Sequence, residues 1–341
     1  MTVRLHEATL ARHLQPIRGM ALAQAIYASF QIGLLDALAR GPQQVAGLAG
    51  ELGLHPERLD GLSDYLENEG LVERDGPAIA LTDLGTELLA VRPWYDLLVG
   101  GYASTFGQLP AVLRRDAGYA SRNGASVAVG SCGISQHDAL PMALALLDTM
   151  PAPSTVVDLG CGDGTFLADI AVRNPEVPCI GVEPDEGARN AAETVAERLR
   201  LNNLRVVAGD AIHYEDAEGT TQPGTCYLTA FVLQELLEQS GEQAVIDLLR
   251  RTFDRDPSAS WIVIEVHRLH PLNTAGSDLA LGYYNPYYLI HRITEQRLVP
   301  AGEWHRLFDA AALEVVREVF PATEYDPLGL KVGFLLRARR S

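Results

Sequence analysis

The sequence predicts an α/β chain in two parts, a mostly helical N-terminal part and then a doubly wound, mostly parallel sheet. Three observations carry this. From Thr155 to the C-terminus, apolar strand-like runs alternate regularly with amphipathic segments, the pattern of repeated βα units. The first of these runs, "VVDLGCGDGTFL", ends in a turn holding Gly160, Gly162 and Gly164. Before Thr155 the chain reads as helices interrupted by one short hairpin.

At 341 residues the chain has room for two domains and a full core. A hydrophobic share of 47% with 21% charged residues describes a soluble globular protein. The formal net charge of −17 opposes a phosphate backbone and argues against nucleic acid as a partner. Cys132, Cys161, Cys179 and Cys226 lie far apart without C-x-x-C spacing. They read as reduced thiols of a cytoplasmic protein, not a disulfide frame. The first twenty residues lack the apolar core of a signal peptide, and no uncharged run reaches the roughly 18 residues of a membrane span.

Residues 1–92 are expected to form one domain. "ALAQAIYASFQIGLLDALA" is apolar all round at helical spacing, as a buried helix is. "VAGLAGELGL" and "PERLDGLSDYLENEG" read as helix, turn, helix, with Pro56 at a start and Gly70 at an end. "LVERDGPAIALT" is a hairpin around Asp75-Gly76. Helix-turn-helix plus hairpin is the winged-helix pattern. Its second helix carries one arginine against Glu57, Asp60, Asp64, Glu67 and Glu69, which does not suit phosphate contact, so a dimerisation and lid module is expected. Residues 93–150 read as connecting helices, "ISQHDALPMALALLDTM" being the last.

In residues 151–341 the expected strands are "TVVDLG", "CIGVEP", "LRVVAGD", "CYLTAFVL", "SWIVIEVH", "EVVREVF" and "KVGFLLRAR". Ligands of such sheets bind at the carboxyl ends of the strands near the switch point. Asp158 stands just before the glycine turn. Glu183 ends the second strand, where an acid can grip both hydroxyls of a ribose. Asp210 ends the third, where it can accept a hydrogen bond from an exocyclic amine. No lysine follows the loop, which opposes a triphosphate.

This ensemble resembles the motifs of class I S-adenosylmethionine-dependent methyltransferases. The resemblance implies a Rossmann-like seven-stranded methyltransferase domain. In it Asp158, Gly160 and Gly162 meet the amino-acid part of S-adenosyl-L-methionine, Glu183 the ribose, and Asp210 with Ala211 the adenine. Phe231 is a further implied cofactor contact. The N-terminal half resembles the winged-helix dimerisation domain of small-molecule O-methyltransferases, which implies a homodimer.

In that family the fourth strand runs into a pattern like "LHDW", whose histidine is the general base. Here the chain reads "LQEL", with Gln234 in the histidine's place. A carboxamide has no pKa that lets it take a proton near neutrality. His267 follows the fifth strand in "VIEVH". The insert near residues 268–300, "LALGYYNPYYLIHRITEQRL", holds four tyrosines and His291. Gln234, Glu235, His267 and His291 can meet in one pocket. One carboxylate and two imidazoles suit a divalent metal of the zinc, iron or nickel class, though each histidine could equally be a polar wall residue.

"LQE", "YYNPYYLIHRITEQRL" and "GEW" together resemble the α-keto acid C-methyltransferases. That likeness implies Glu235 and His291 as metal ligands; His267 rests on strand geometry alone. The implied reaction is methylation of the β-carbon of a small α-keto acid through a metal-stabilised enolate. Its substrate is 4-methyl-2-oxopentanoate or 2-ketoarginine, and its product a β-methyl amino-acid precursor for a peptide natural product. His267 or a tyrosine of the insert is the expected base, and Gln234 orients substrate or a ligand water. A metal-free O-methyltransferase and a cofactor-sensing regulator are the competing readings.

Overall fold

The structure, a computed structural model, describes residues 6–269, 277–326 and 328–339. The chain divides into two compact units, one through residue 103 and one from residue 104.

The first unit contains α1 (Glu7–Gln31), α2 (Leu34–Leu38), β1 (Gln43–Gln44), α3 (Val45–Glu51), α4 (Pro56–Asn68), β2 (Val72–Asp75), β3 (Ala78–Leu81), α5 (Asp83–Glu87) and α6 (Arg92–Tyr95). Helix α1 begins well before the apolar pattern does. Its first half is exposed and mixes a few apolar residues with charged and polar ones, so the sequence reading began the helix later. Strands β2 and β3 pair antiparallel around Gly76, whose φ of 58° suits a residue without Cβ. Leu34, Leu48, Leu59, Leu66 and Ile79 share the core of this unit. The acids of α4 have a local partner: Arg74 of β2 reaches Asp60 at 3.0 Å, Asp64 at 2.6 Å and Glu67 at 3.3 Å.

The second unit opens with helical pieces, α7 (Ala103–Gly107), α8 (Leu109–Val112), α9 (Gly124–Ser135) and α10 (Ala139–Leu147). Residues 93–150 therefore divide between the two units. The alternating region follows: β4 (Val156–Leu159), α11 (Thr165–Arg173), β5 (Cys179–Glu183), α12 (Glu186–Leu199), β6 (Leu204–Ala208), β7 (Cys226–Ala230), α13 (Leu233–Gln239), α14 (Gly241–Arg255), β8 (Ser260–Val266), α15 (Asn285–Ile293), α16 (Ala301–Ala310), β9 (Leu313–Val319) and β10 (Lys331–Ala338).

The seven strands of this unit form one sheet in the order β6-β5-β4-β7-β8-β10-β9. All pairs from β6 to β8 are parallel, and β10 runs antiparallel to both neighbours. The chain steps from β4 outward to β6, then returns to the other side of β4 with β7, so the switch point lies between β4 and β7. Strands β4, β5 and β8 are buried along their whole length, which explains their continuous apolar runs. One face of the sheet packs Trp261, Trp304 and Phe334; the other packs Leu167, Ile264 and Leu335.

The end of β7 differs from the sequence reading. The strand stops at Ala230, and Gln234 and Glu235 lie in the first turn of α13. Phe231 takes a left-handed conformation with φ 62°, which turns the chain out of the sheet. The new helix is capped at long range. Glu265 of β8 accepts hydrogen bonds from the amides of Leu233 at 2.8 Å and Gln234 at 3.3 Å. A cap supplied by another strand leaves no local signal. No helix among the described residues is long and apolar enough to cross a membrane.

Candidate functional site

The glycine turn after β4 is built for a close backbone approach. Gly160, Gly162 and Gly164 have φ of 83°, 57° and 73°. A Cβ on Gly160 would stand 2.8 Å from a methyl of Val232, and one on Gly164 would stand 2.5 Å from the Cβ of Ala192. Glu183 folds over this loop. One of its oxygens accepts from the amide of Gly162 and the other from the amide of Asp185, each at 3.0 Å. Asp158 lies buried beneath. Burial, then the Glu183 charge, pushes its carboxyl up to about 7.

Asp210 is half-exposed and turned onto its own loop. It accepts from the amides of Ile212 at 2.8 Å and His213 at 2.9 Å, and faces the His213 ring. Ala211 is buried beside it. Phe231 sits partly buried in the strained conformation described above, a feature that clusters at functional sites. These residues gather at the carboxyl ends of β4, β5, β6 and β7, and could together hold a nucleoside cofactor.

A second group lies around the start of α13. Gln234 is buried, and its side-chain oxygen has no hydrogen-bond partner among the described residues. Glu235 is engaged: its Oε1 accepts from Arg122 at 2.7 Å and from Gln296 at 2.9 Å. His291 is 5% exposed. Its Nδ1 lies 2.8 Å from the carbonyl of Tyr287. A carbonyl only accepts, so Nδ1 carries the proton and Nε2 keeps its lone pair. That Nε2 is buried without a partner among the described residues. Burial, with Arg122 nearby, holds the imidazole down at about 4, so it is neutral at physiological pH.

The expected meeting of Glu235, His267 and His291 is not what the structure places. Among the described residues no three His, Cys, Asp or Glu side chains gather in a way that could hold a metal ion. His267 leaves the end of β8 toward Phe334, with ring centroids 6.4 Å apart, and its titratable neighbours are His305 and Asp326. Burial likewise holds it down at about 4. The charge that His291 feels comes instead from Arg122. Glu235 is bound to that same guanidinium, so a resident cation of the protein already stands beside two of the three expected ligands. The donor set, as folded, does not fit a divalent ion.

His291 also lines a cavity of about 180 Å³, with Tyr119, Glu238, Arg268, Tyr288, Arg292, Gln296 and Arg297 among its other walls. Three arginines make it a place for an anion. The sequence reading did not single out Arg122, Tyr119 or Gln296, and it gave Glu265 no role. Arg122 lies 113 residues from Glu235, and nothing in its polar neighbourhood marks it. Glu265 has a sharper signal, a carboxylate at a position inside an otherwise apolar strand.

A family model described as "Putative methyltransferase" matches residues 152–217, which include the glycine turn, Glu183 and Asp210. The chain is 44% identical to a 2-ketoarginine methyltransferase of Streptomyces arginensis over 98% of this chain and 97% of that protein. It is 30% identical to an indolepyruvate C-methyltransferase of Streptomyces griseus over 72% and 73% of the two chains. Two solved structures share the fold at low identity. The mitomycin 7-O-methyltransferase MmcR has a TM-score of 0.68 at 19% identity, covering 97% of this chain and 98% of its own. Human N-acetylserotonin methyltransferase in complex with S-adenosylmethionine has a TM-score of 0.68 at 17% identity over 100% of both chains. The chain belongs to the S-adenosylmethionine-dependent methyltransferases, in the family that contains the 2-ketoarginine and indolepyruvate enzymes.

Proposed function

We propose that the chain transfers the methyl group of S-adenosylmethionine to the β-carbon of a small 2-oxo acid, with 2-ketoarginine as the favoured substrate. The single observation that carries this reading is His291. It lines a cavity walled by Arg268, Arg292 and Arg297, and its buried Nε2 has no partner among the described residues. A base beside an anion site suits an acid whose neighbouring carbon must lose a proton. The choice of 2-ketoarginine follows the name of the 44%-identical relative.

In this reading Asp158, Gly160, Gly162, Glu183, Asp210, Ala211 and Phe231 hold the cofactor. Nε2 of His291 takes a proton from the β-carbon, and the C–H electron pair moves into the carbon–carbon bond to give an enolate. The β-carbon then attacks the sulfonium methyl in line, the sulfur keeps the bonding pair and leaves as a thioether, and imidazolium returns its proton to water. Fixed orientation of such reactants is worth roughly 7–11 kcal/mol. Gln234, buried with an unpartnered oxygen, orients the substrate. The metal-stabilised enolate suggested by the sequence has no gathered donor set among the described residues to support it. The product is a β-methyl 2-oxo acid, which an amino-group transfer converts to a β-methyl amino acid of the kind used in peptide natural products.

The test is mass spectrometry of a panel of 2-oxo acids and hydroxylated aromatics incubated with protein and cofactor. A mass gain of one methyl on 2-ketoarginine, retained after acid hydrolysis and placed on carbon by NMR, supports the reading. Methylation of the aromatics alone sinks it. We propose further that residues 1–92 form a homodimer contact. Helix α1 exposes Leu10, Leu14, Ile17 and Met20 at helical spacing. Light scattering that gives the mass of one chain at micromolar concentration overturns this.

A further inference from the structure

We infer that the positive charge stabilising the enolate in this chain is the guanidinium of Arg122, held in place by Glu235 and Gln296, and not a divalent cation. This rests on the 2-oxo acid reading given above. Removal of a proton from carbon leaves a developing oxyanion, and a fixed positive charge beside it stabilises that charge.

Arg122 fills that role from its place against Glu235, in the first turn of α13. It sits in a short strap that crosses α13 and α15. Tyr119 at the start of the strap donates to Glu238, one turn along from Glu235. The amide of Ala120 donates to the carbonyl of Ile293 at 2.7 Å, which ties the strap to the end of α15 just past His291. Ser121 is clamped from the other side, its carbonyl accepting from Thr105 at 2.8 Å and its amide donating to Gln108 at 3.0 Å. Arg122 then reaches Glu235 at 2.7 Å, and Gln296 supports the same carboxylate oxygen at 2.9 Å. Both charged side chains are about three-quarters buried, with 26% and 29% exposed.

The expected ligand Glu235 therefore serves as a positioning residue for a cation that the chain carries itself. A metal ion on that oxygen would have to displace two hydrogen bonds and stand against the guanidinium. Guanidinium chemistry suits this role, because the group stays charged at every physiological pH and its planar set of five donors matches the paired oxygens of an oxo-carboxylate.

The experiment uses the full chain treated with EDTA and freed of it by gel filtration, with metal content checked by mass spectrometry. Two rates are read: methylation of 2-ketoarginine, and exchange of its β-hydrogens for deuterium in D₂O. The expected result is that both rates stay within two-fold of the untreated protein, while Arg122→Lys lowers both at least 100-fold and leaves cofactor affinity by calorimetry unchanged. A chelated wild type that is inactive and recovers with iron, nickel or zinc overturns the proposal. So does an Arg122→Lys variant that keeps both rates within three-fold. A wild type that neither methylates nor exchanges any 2-oxo acid overturns the substrate reading itself, and this assignment with it.

Discussion

Glu265 offers the sharpest quantitative test of how the site is held. Its carboxyl is completely buried and accepts from the amides of Leu233 and Gln234, so it fixes the start of the helix that carries Gln234 and Glu235. Burial pushes this carboxyl well above the usual range, so it remains protonated in the folded protein where the unfolded chain has ionised. Consider Glu265→Gln and Glu265→Ala. The amide keeps a carbonyl acceptor of the same shape, and near pH 4.5 it should cost no more than about 1 kcal/mol. Alanine leaves two buried N–H groups without acceptors, at about 1–3 kcal/mol each, or about 2–6 kcal/mol together. The two variants also differ in their pH dependence from wild type. Above the ordinary glutamate value of 4.5 the unfolded wild type releases a proton that the folded protein retains. Wild-type stability therefore falls by about 1.4 kcal/mol per pH unit from this group, until the pH reaches the folded value. Glutamine has no such slope, so Glu265→Gln gains on wild type by that amount as pH rises. Urea titrations followed by tryptophan fluorescence, with Trp261 and Trp304 reporting from the same unit, measure this between pH 5 and 7. A constant difference across that range would show that Glu265 is ionised in place. An alanine variant within about 1 kcal/mol of wild type would refute the capping role.

Gly160→Ala places a Cβ 2.8 Å from Val232 at a φ of 83°, so isothermal titration should show at least a ten-fold loss of cofactor affinity. His291 loses its proton-accepting form only as pH falls through about 4. The acid limb of kcat/KM should accordingly lie below pH 5 and not near the 6.5 of a free imidazole, and His291→Gln should lower kcat by about 10²–10⁴-fold. Lys331 and Asp138 form an ion pair with side chains 5% and 2% exposed. Lys331→Met should cost about 3–5 kcal/mol in calorimetry, and adding Asp138→Leu should recover most of it, because the loss comes from the stranded charge.

The layered sheet, the glycine turn, and the acids at the ends of β5 and β6 are legible in the amino-acid sequence alone. These are local features: strand and helix periods, a left-handed turn that needs glycine, and carboxylates one residue type at a time. The start of α13 is also marked there as unusual, since Gln234 cannot do the work of a histidine base. Where the side chains of that region point is settled only by the fold. The extra turn at Phe231 moved Gln234 and Glu235 from a strand end into a helix, and the ring of His267, just past β8, lies against Phe334. Arg122 joins Glu235 across 113 residues of chain, a pairing with no periodicity to announce it. Ionic contacts of that span depend on how the strap packs, and packing is a property of the folded whole.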